Sequence, residues 1–436
     1  MAWAVIGLAL LFFLGHSLRW IFIKTKIPDL LLLTALGFVL GPILGILTPA
    51  DLGKVGAVLA TLALIVILYS GGLELSAKEL LTSSLPALGI SIIAFAGTAA
   101  VVAAMSKGLF AISWISALLI GLGVGSTSSA IVIPMVRYLS ISDSTKTILS
   151  LESAFTDVLA IVIFLVILDS ALSGHFETTL LIRGLGPNSV WAILWGMSMG
   201  LLWAFFKQRF PEASHKTFAG EAWALLTFGL IDIAGLNGAL GVFALGFTLG
   251  NLNLFHKGLL KHLSHTPVAK EEMALLQELS FVLRTFFFVY LGMQIRFSDT
   301  KTILLSVSAA IGILIIRFLS VRILFRPKKY NRLDAMVITA MGPRGLACAV
   351  LATIPFQKGY VDGALIQNVV FGIIPTTIFA TALFVMLSER EWFRSRAESF
   401  FGAYKEILSN SDDQTTWVNT GSALAFSPPP ADKKPN

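Results

Sequence analysis

Two carboxylates, Glu152 and Asp157, stand five residues apart in the run from Ser150 to Ile167, which otherwise has the length and apolar character of a membrane-crossing helix. An ionised side chain at the centre of a bilayer costs at least ~2.5–3.5 kcal/mol, so it faces a water-filled cavity, a partner charge or an ion. At about 100° per residue the two acids point about 140° apart and cannot form one dyad. They must do different jobs. A single carboxylate in such a place can hold a proton or a cation but not both, and that exclusion is sufficient chemistry for exchange.

A second set of polar residues interrupts apolar runs. Gly125-Ser-Thr-Ser-Ser-Ala-Ile-Val-Ile-Pro134 and Gly342-Pro-Arg-Gly-Leu-Ala-Cys-Ala-Val-Leu-Ala-Thr-Ile-Pro355 each place a glycine-containing polar break in mid-span, with a proline downstream. A helix stopped inside the membrane exposes N–H groups on one half and C=O groups on the other, which is tolerable only inside protein or beside water. The hydroxyls of Ser126, Thr127, Ser128 and Ser129 are hard oxygen donors suited to Na⁺, K⁺ or Li⁺. Arg344 would neutralise the carbonyl dipoles exposed in the second break. The alternative for these small polar residues is close helix packing with interhelical hydrogen bonds. For Asp157 it is a structural ion pair with Arg284 or Arg344.

The elements that must position these groups are membrane spans. The 436-residue chain is 56% hydrophobic and 13% charged, against about 25% charged in an ordinary globular domain. The net charge of +7 does not indicate nucleic acid, because Lys and Arg fall between apolar segments rather than in one patch. The one cysteine, Cys348, excludes an intrachain disulfide framework and an all-cysteine metal site. The first segment lacks a basic n-region and a clear cleavage site and reads as a retained helix.

A window of about 20 residues predicts thirteen spans, near 2–20, 28–48, 55–73, 86–105, 112–136, 147–169, 189–206, 221–234, 238–254, 279–295, 302–324, 333–355 and 363–387. The eighth and ninth require a very tight turn at 234–238; fused, they would leave twelve. In one set of alternate loops lie 20 Lys and Arg side chains, and in the other only six, Lys54, Lys107, Arg183, Arg296, Lys301 and Lys358. The rich set is expected to be cytoplasmic, with the N-terminus outside and the C-terminus inside. The expected organisation is a transmembrane domain over 1–388, a basic cytoplasmic loop over 256–278 and a disordered tail over 403–436. The loop carries His256, His262 and His265. A solvated loop near anionic lipid is favoured over metal binding there, and titration of these histidines near neutral pH would suit pH sensing. Glu74 reads as interfacial, Asp232 as lining a funnel or reaching the outer interface, and Arg284 as snorkelling.

The two halves echo one another. Tyr69-Ser-Gly-Gly-Leu-Glu-Leu75 is matched by Tyr290-Leu-Gly-Met-Gln-Ile295, and the break in the fifth span by that in the twelfth. Each pair is seven spans apart, so the halves enter from opposite faces. Inverted repeats with interrupted helices in matching places indicate a secondary transporter with its site near the midplane.

Gly72-Leu-Glu-Leu75, Ser126-Thr-Ser-Ser-Ala-Ile-Val132, Glu152-Ser-Ala-Phe-Thr-Asp157 and Gly342-Pro-Arg-Gly345 together resemble the monovalent cation:proton antiporter superfamily, the sodium/proton exchangers, over roughly residues 1 to 390. The resemblance implies an all-α fold of two inverted six-helix repeats with two interrupted, crossing helices. It implies a core of spans 4–6 and 11–13, a scaffold and dimer interface of spans 1–3 and 8–10, and span 7 as the link. It makes Asp157 the carboxylate that alternately binds cation and proton, helped by Thr156, Ser153, Thr127 and Ser128. Glu152 becomes a structural acid paired with Arg317, a pairing that also makes physical sense because either charge alone would be costly to bury. The electroneutral branch has Thr-Asp-Pro where this chain has Thr127, Ser128 and Ser129, a Ser/Thr-rich version closer to the branch that includes potassium/proton antiporters. Thr156 stands where that branch has asparagine. Both Na⁺ and K⁺ stay open as substrates.

The expectation is therefore a multi-pass inner-membrane antiporter exchanging Na⁺ or K⁺ for H⁺, electroneutral, homodimeric and in contact with lipid. No cofactor, resident metal, nucleic-acid partner or enzymatic constellation is expected. A monovalent cation channel or K⁺ efflux system is the alternative, and it would pass current at fixed pH.

Overall fold

A computed structural model describes residues 9–10, 12–18, 20–21, 27–46, 49–75, 77, 85–172, 187–210, 218–255, 270–295, 300–327, 330–388 and 390–404. Among these the chain is almost entirely helical, with no strand. Residues 12–18 are helical. They are followed by α1 (Asp29–Phe38), which runs on into a wider π-turn over Val39–Ile43 around Pro42. Next come α2 (Pro49–Glu74), α3 (Leu85–Leu109), α4 (Trp114–Gly123), α5 (Ser129–Arg137), α6 (Asp143–Leu172) and α7 (Pro187–Arg209). The second half consists of α8 (Ala219–Ile233), α9 (Gly238–Gly250), α10 (Lys270–Gln294), α11 (Thr300–Leu324), α12 (Arg332–Ala340), α13 (Leu346–Gln357) and α14 (Gly363–Ser388). Two short helices follow, α15 (Glu391–Arg396) and α16 (Glu398–Phe401).

Among the described residues six helices are long and apolar enough to cross a membrane, namely α3, α6, α7, α10, α11 and α14, and five shorter apolar helices accompany them. Their outward faces are apolar too. Leu304, Ile311, Ile315 and Ile323 are exposed along α11, and Trp191 and Trp195 along α7. A helix that is apolar all round belongs in lipid or in a large core, not at a water interface.

The doubtful junction at 234–238 separates two helices. Gly235 adopts φ +74°, a left-handed conformation that glycine takes without Cβ strain. Asn237 then caps α9, its side chain accepting from Leu240 N at 3.2 Å. Other ends are capped in the same way. Ser113 accepts from Ser116 N at the start of α4. Asn331 accepts from Asp334 N at 2.7 Å at the start of α12. Asp334 in turn accepts from Ser142 N at 2.9 Å, which ties α12 to the turn before α6.

Two boundaries differ from the sequence expectation. Residues 270–278, expected within a loop, form the first turns of α10, where Glu271 and Glu272 complement the helix dipole. Residues 256–269, including the three histidines, lie outside the described residues, as does the tail from 405. The chain is still packed at Tyr404, whose hydroxyl donates to the carbonyls of Val321 and Phe325.

The helices pack in two groups. α1, α2 and α7–α10 pack on one another, and α3–α6 pack with α11–α14. The groups meet along a thinner seam, formed by α6 on α7 and α9, α14 on α1 and α10, and α13 on α2. Gln367 of α14 donates to Gln294 of α10 across this seam at 2.9 Å. Within the first group the backbones approach closely through glycine. A Cβ on Gly72 would lie 2.5 Å from the Phe243 carbonyl oxygen, and one on Gly246 would lie 2.4 Å from that of Tyr69. Such contacts supply the dispersion and Cα–H contacts that hold helices together where lipid offers no hydrophobic contrast.

Replacing Gly246 with Ala therefore forces α2 and α9 apart. The expected cost is about 1–3 kcal/mol, the usual penalty for overpacking, read as a lower midpoint of thermal unfolding in detergent. An unchanged midpoint would show that this approach is not tight in the molecule.

Candidate functional site

The fifth and twelfth expected spans are each two half-helices. α4 ends at Gly123 and α5 begins at Ser129; α12 ends at Ala340 and α13 begins at Leu346. The two breaks lie against each other. Ser128 N donates to the Pro343 carbonyl at 2.8 Å. A Cβ on Gly345 would fall 2.0 Å from Ser128 Oγ, so only glycine admits this crossing.

Most of the backbone groups freed by the breaks find partners. Thr127 N is satisfied by Thr156 Oγ1 of α6 at 3.0 Å, and the two threonine hydroxyls lie 2.9 Å apart. Arg344 N donates to Thr377 Oγ1 of α14 at 3.1 Å. The carbonyls are met by buried guanidinium groups. Arg344 Nη1 donates to the Ser126 carbonyl at 2.6 Å and to that of Gly125 at 3.2 Å, while Nη2 reaches Thr98 Oγ1 of α3 at 3.2 Å. Arg317 of α11 donates to the Ile338 carbonyl in the last turn of α12 through Nε at 3.0 Å and Nη2 at 2.7 Å. The sequence suggests that Arg344 serves its own break. Its guanidinium instead reaches the C-terminal end of α4 in the other break, and Arg317 serves the end of α12. The crossing explains this exchange, because Arg344 follows the end of α12 and sits beside the partner break.

Arg317 is 0% exposed. It also contacts Glu152 of α6, through Nη1 to Oε1 and through Nη2 to Oε2 at 3.0 Å. This is a two-pronged pair of the kind the guanidinium fork favours. Both charges are matched, so neither is left as a bare ion in an apolar interior.

Asp157 has no such partner among the described residues. Its Oδ2 accepts from Ser129 Oγ at 3.0 Å, and its Oδ1 is buried without a hydrogen-bond partner. Ser129 opens α5, so the acid faces the start of the half-helix whose dipole is positive. The remaining candidates are placed differently. Thr156 braces the first break and also donates to the Glu152 carbonyl at 2.9 Å. Ser153 Oγ donates to the Ser150 carbonyl of its own helix. Ser128 Oγ lies against Gly345. The structure thus brings Asp157 together with Ser129, Thr156 with Thr127, and Glu152 with Arg317.

Ser129, Thr98 and Thr377 carry roles that the sequence does not single out individually. Ser129 is one of four consecutive hydroxyl residues whose facing only the helix start decides. Thr98 and Thr377 are single threonines in apolar runs, with no motif to mark them. Among the minor acids and bases, Glu74 is exposed and accepts from Ser70 Oγ at 3.2 Å. Arg284 lies over the Phe281 ring, 5.8 Å from its centroid.

Comparison with known proteins agrees with this architecture. A family model described as "Sodium/hydrogen exchanger, transmembrane" matches residues 7–389. The K(+)/H(+) antiporter NhaP2 of Shewanella sp. (strain MR-4) is 27% identical over 328 residues, covering 72% of this chain and 54% of that protein. The chain thus spans about half the length of such relatives. The Na(+)/H(+) antiporter 1 of Methanocaldococcus jannaschii is 26% identical over 425 residues, covering 93% of this chain and 97% of that protein. The solved structure of the sodium proton antiporter MjNhaP1 from Methanocaldococcus jannaschii superposes with a TM-score of 0.68 at 23% identity, over 88% of this chain and 99% of that one. At that identity the likeness is one of fold.

The Glu152–Arg317 pair makes a stability prediction. Arg317→Gln alone leaves Glu152 as an uncompensated buried charge and is expected to cost about 3–5 kcal/mol. Adding Glu152→Gln should recover part of that loss. Thermal unfolding of the two variants checks it, and a double variant no more stable than the single one would contradict the pairing as the main interaction.

Proposed function

The chain belongs to the sodium/hydrogen exchanger family, and we propose that it is a secondary active antiporter that exchanges Na⁺ or K⁺ for H⁺ at Asp157. The observation that carries this reading is the Asp157 carboxylate itself, which is held on one oxygen by Ser129 and buried without a partner on the other, beside two crossed helix breaks. A carboxylate so placed accepts a proton, or a cation with help from nearby oxygens, and excludes one by taking the other. The Ser129 hydroxyl is the one on the acid itself. Thr127, Thr156, Ser128 and Ser153 are the further oxygens proposed to help hold the cation.

Exchange by alternating access requires one body to move against another. The two packing groups and the thinner seam between them support α3–α6 with α11–α14 as the moving core, and α1, α2 and α7–α10 as the scaffold. The ion pair of Glu152 and Arg317 and the guanidinium of Arg344 lie within the core, so the crossing can move as a unit. Because cation and proton occupy the same single acid, the expected stoichiometry is one for one and the cycle electroneutral. The charge asymmetry of the loops supports an inner-membrane orientation with the N-terminus outside and the C-terminus in the cytoplasm. A homodimer surrounded by lipid is the expected assembly. The relatives are named for K⁺ and for Na⁺ alike, and the serine at 128 and threonine at 156 keep both cations in play here.

Reconstituted protein in liposomes, followed with an internal pH dye while Na⁺, K⁺ and Li⁺ are titrated, tests the reading. Wild type should couple an added cation to a pH change without current, and Asp157→Asn should abolish the coupling. Full exchange in that variant would remove Asp157 from the mechanism, and current at fixed pH would favour a channel.

A further inference from the structure

Beyond the last membrane-length helix, α14, the chain turns back onto the protein. Phe393, Ala397, Phe401 and Tyr404 recur at helical spacing and form one stripe, which is turned toward the ends of the core helices. Phe393 meets Phe384 of α14 with ring centroids 6.3 Å apart, and Phe401 meets Phe318 of α11 at 5.4 Å. Tyr404 donates to two carbonyls at the end of α11, and Arg332 of α12 reaches Glu398 at 3.0 Å. α15 and α16 are thus fastened to the core group at one end of the bundle.

The adjoining stripe, Trp392, Arg396 and Phe400, is turned outward. Trp392 is 56% exposed and Phe400 62%. Phe400 stands edge-on to Phe318, and the Arg322 guanidinium lies 5.4 Å from the centre of that same ring. On α11 the positions Ile311, Ile315, Phe318 and Arg322 share one face, which passes from exposed apolar to charged where Phe400 joins it. Arg326 just past α11 and Arg390 and Arg396 around α15 are exposed as well. The acids nearby do not cancel them: Glu398 is held by Arg332, and Glu391 sits in the first turn of α15, where the helix dipole meets its charge. Large rings ringed by arginines, at the foot of a lipid-facing stripe, match the headgroup level of a bilayer. There an aromatic ring buries its apolar edge, and an arginine lays its stem on hydrocarbon while its guanidinium reaches phosphate.

We propose that α15, α16 and the end of α11 form an interfacial anchor on the core group, which seats on the membrane surface and binds the headgroups of anionic phospholipids. A zwitterionic headgroup brings its own ammonium beside the phosphate, and the exposed arginines would repel it. An anionic headgroup brings the charge they lack. The anchor does not depend on what the protein transports.

Full-length protein in liposomes tests this with phospholipids brominated high on the acyl chain, which quench tryptophans seated near the headgroups. The Trp392 emission is taken as the difference between wild type and Trp392→Phe. It should be quenched by both lipids, with brominated phosphatidylglycerol acting at a severalfold lower mole fraction than brominated phosphatidylcholine. Replacing Arg322, Arg326, Arg390 and Arg396 together with Gln should erase that preference and leave quenching by phosphatidylcholine in place. A preference that survives the four substitutions would overturn the arginines as the headgroup ligands. Equal quenching of the wild type by the two lipids would overturn the anionic preference, whether or not the fourfold variant folds. A Trp392 emission that neither lipid quenches would overturn the anchor and indicate that protein, such as a second copy of the chain, covers this face.

Discussion

A helix broken inside a membrane leaves backbone N–H and C=O groups that water cannot reach, each costing several kcal/mol if left alone. The rest of this molecule is arranged around meeting that demand. α4 and α12 both end in mid-protein, and each exposes carbonyls that a buried arginine from elsewhere reaches: Arg344 from the opposite break for α4, Arg317 from α11 for α12. Arg317 then needs an anion, and Glu152 supplies it. The N–H groups are met by threonines, with Thr156 on Thr127 and Thr377 on Arg344. Most of the buried charges and hydroxyls near the crossing are accounted for in this way.

Asp157 Oδ1 and Arg344 Nε are left over, and the contrast of Asp157 with Glu152 is instructive. Both acids lie on α6 within five residues. Their separation around the helix turns one toward α11 and its guanidinium, the other toward the start of α5, where Ser129 Oγ donates to it. The paired acid is fixed in place. The acid with an open oxygen is the one proposed to change partners. Whether an acid is paired is thus set by what faces it, not by its residue type.

The proposed motion imposes the opposite demand. The scaffold helices approach backbone to backbone through Gly72 and Gly246, and the core is bound by its buried ion pair and crossing. Between the two groups the contacts are sparser, with the Gln367–Gln294 hydrogen bond among them. A neutral amide pair at a seam breaks at far lower cost than a buried ion pair, which supports the proposed movement of one group against the other.

Much of this is written locally. Apolar runs long enough to span hydrocarbon, the paired polar breaks at 125–129 and 342–345, and the improbable acids of α6 are all properties of short segments, because the bilayer penalises each misplaced polar group where it stands. The helical, membrane-embedded fold and the places of its two helix breaks were therefore legible in the order of residues alone. The extra turns at 270–278, the packed Tyr404 and the partners Thr98 and Thr377 were not, since nothing in a short window distinguishes a threonine that braces a backbone from one that fills space. Which arginine answers which helix end was also beyond reach of the sequence. That assignment depends on two breaks crossing in space, which brings residues more than 200 positions apart within hydrogen-bond distance. The sequence determined that buried charges exist and must be matched; only the tertiary structure decided which of them are matched and which single oxygen on Asp157 is left open.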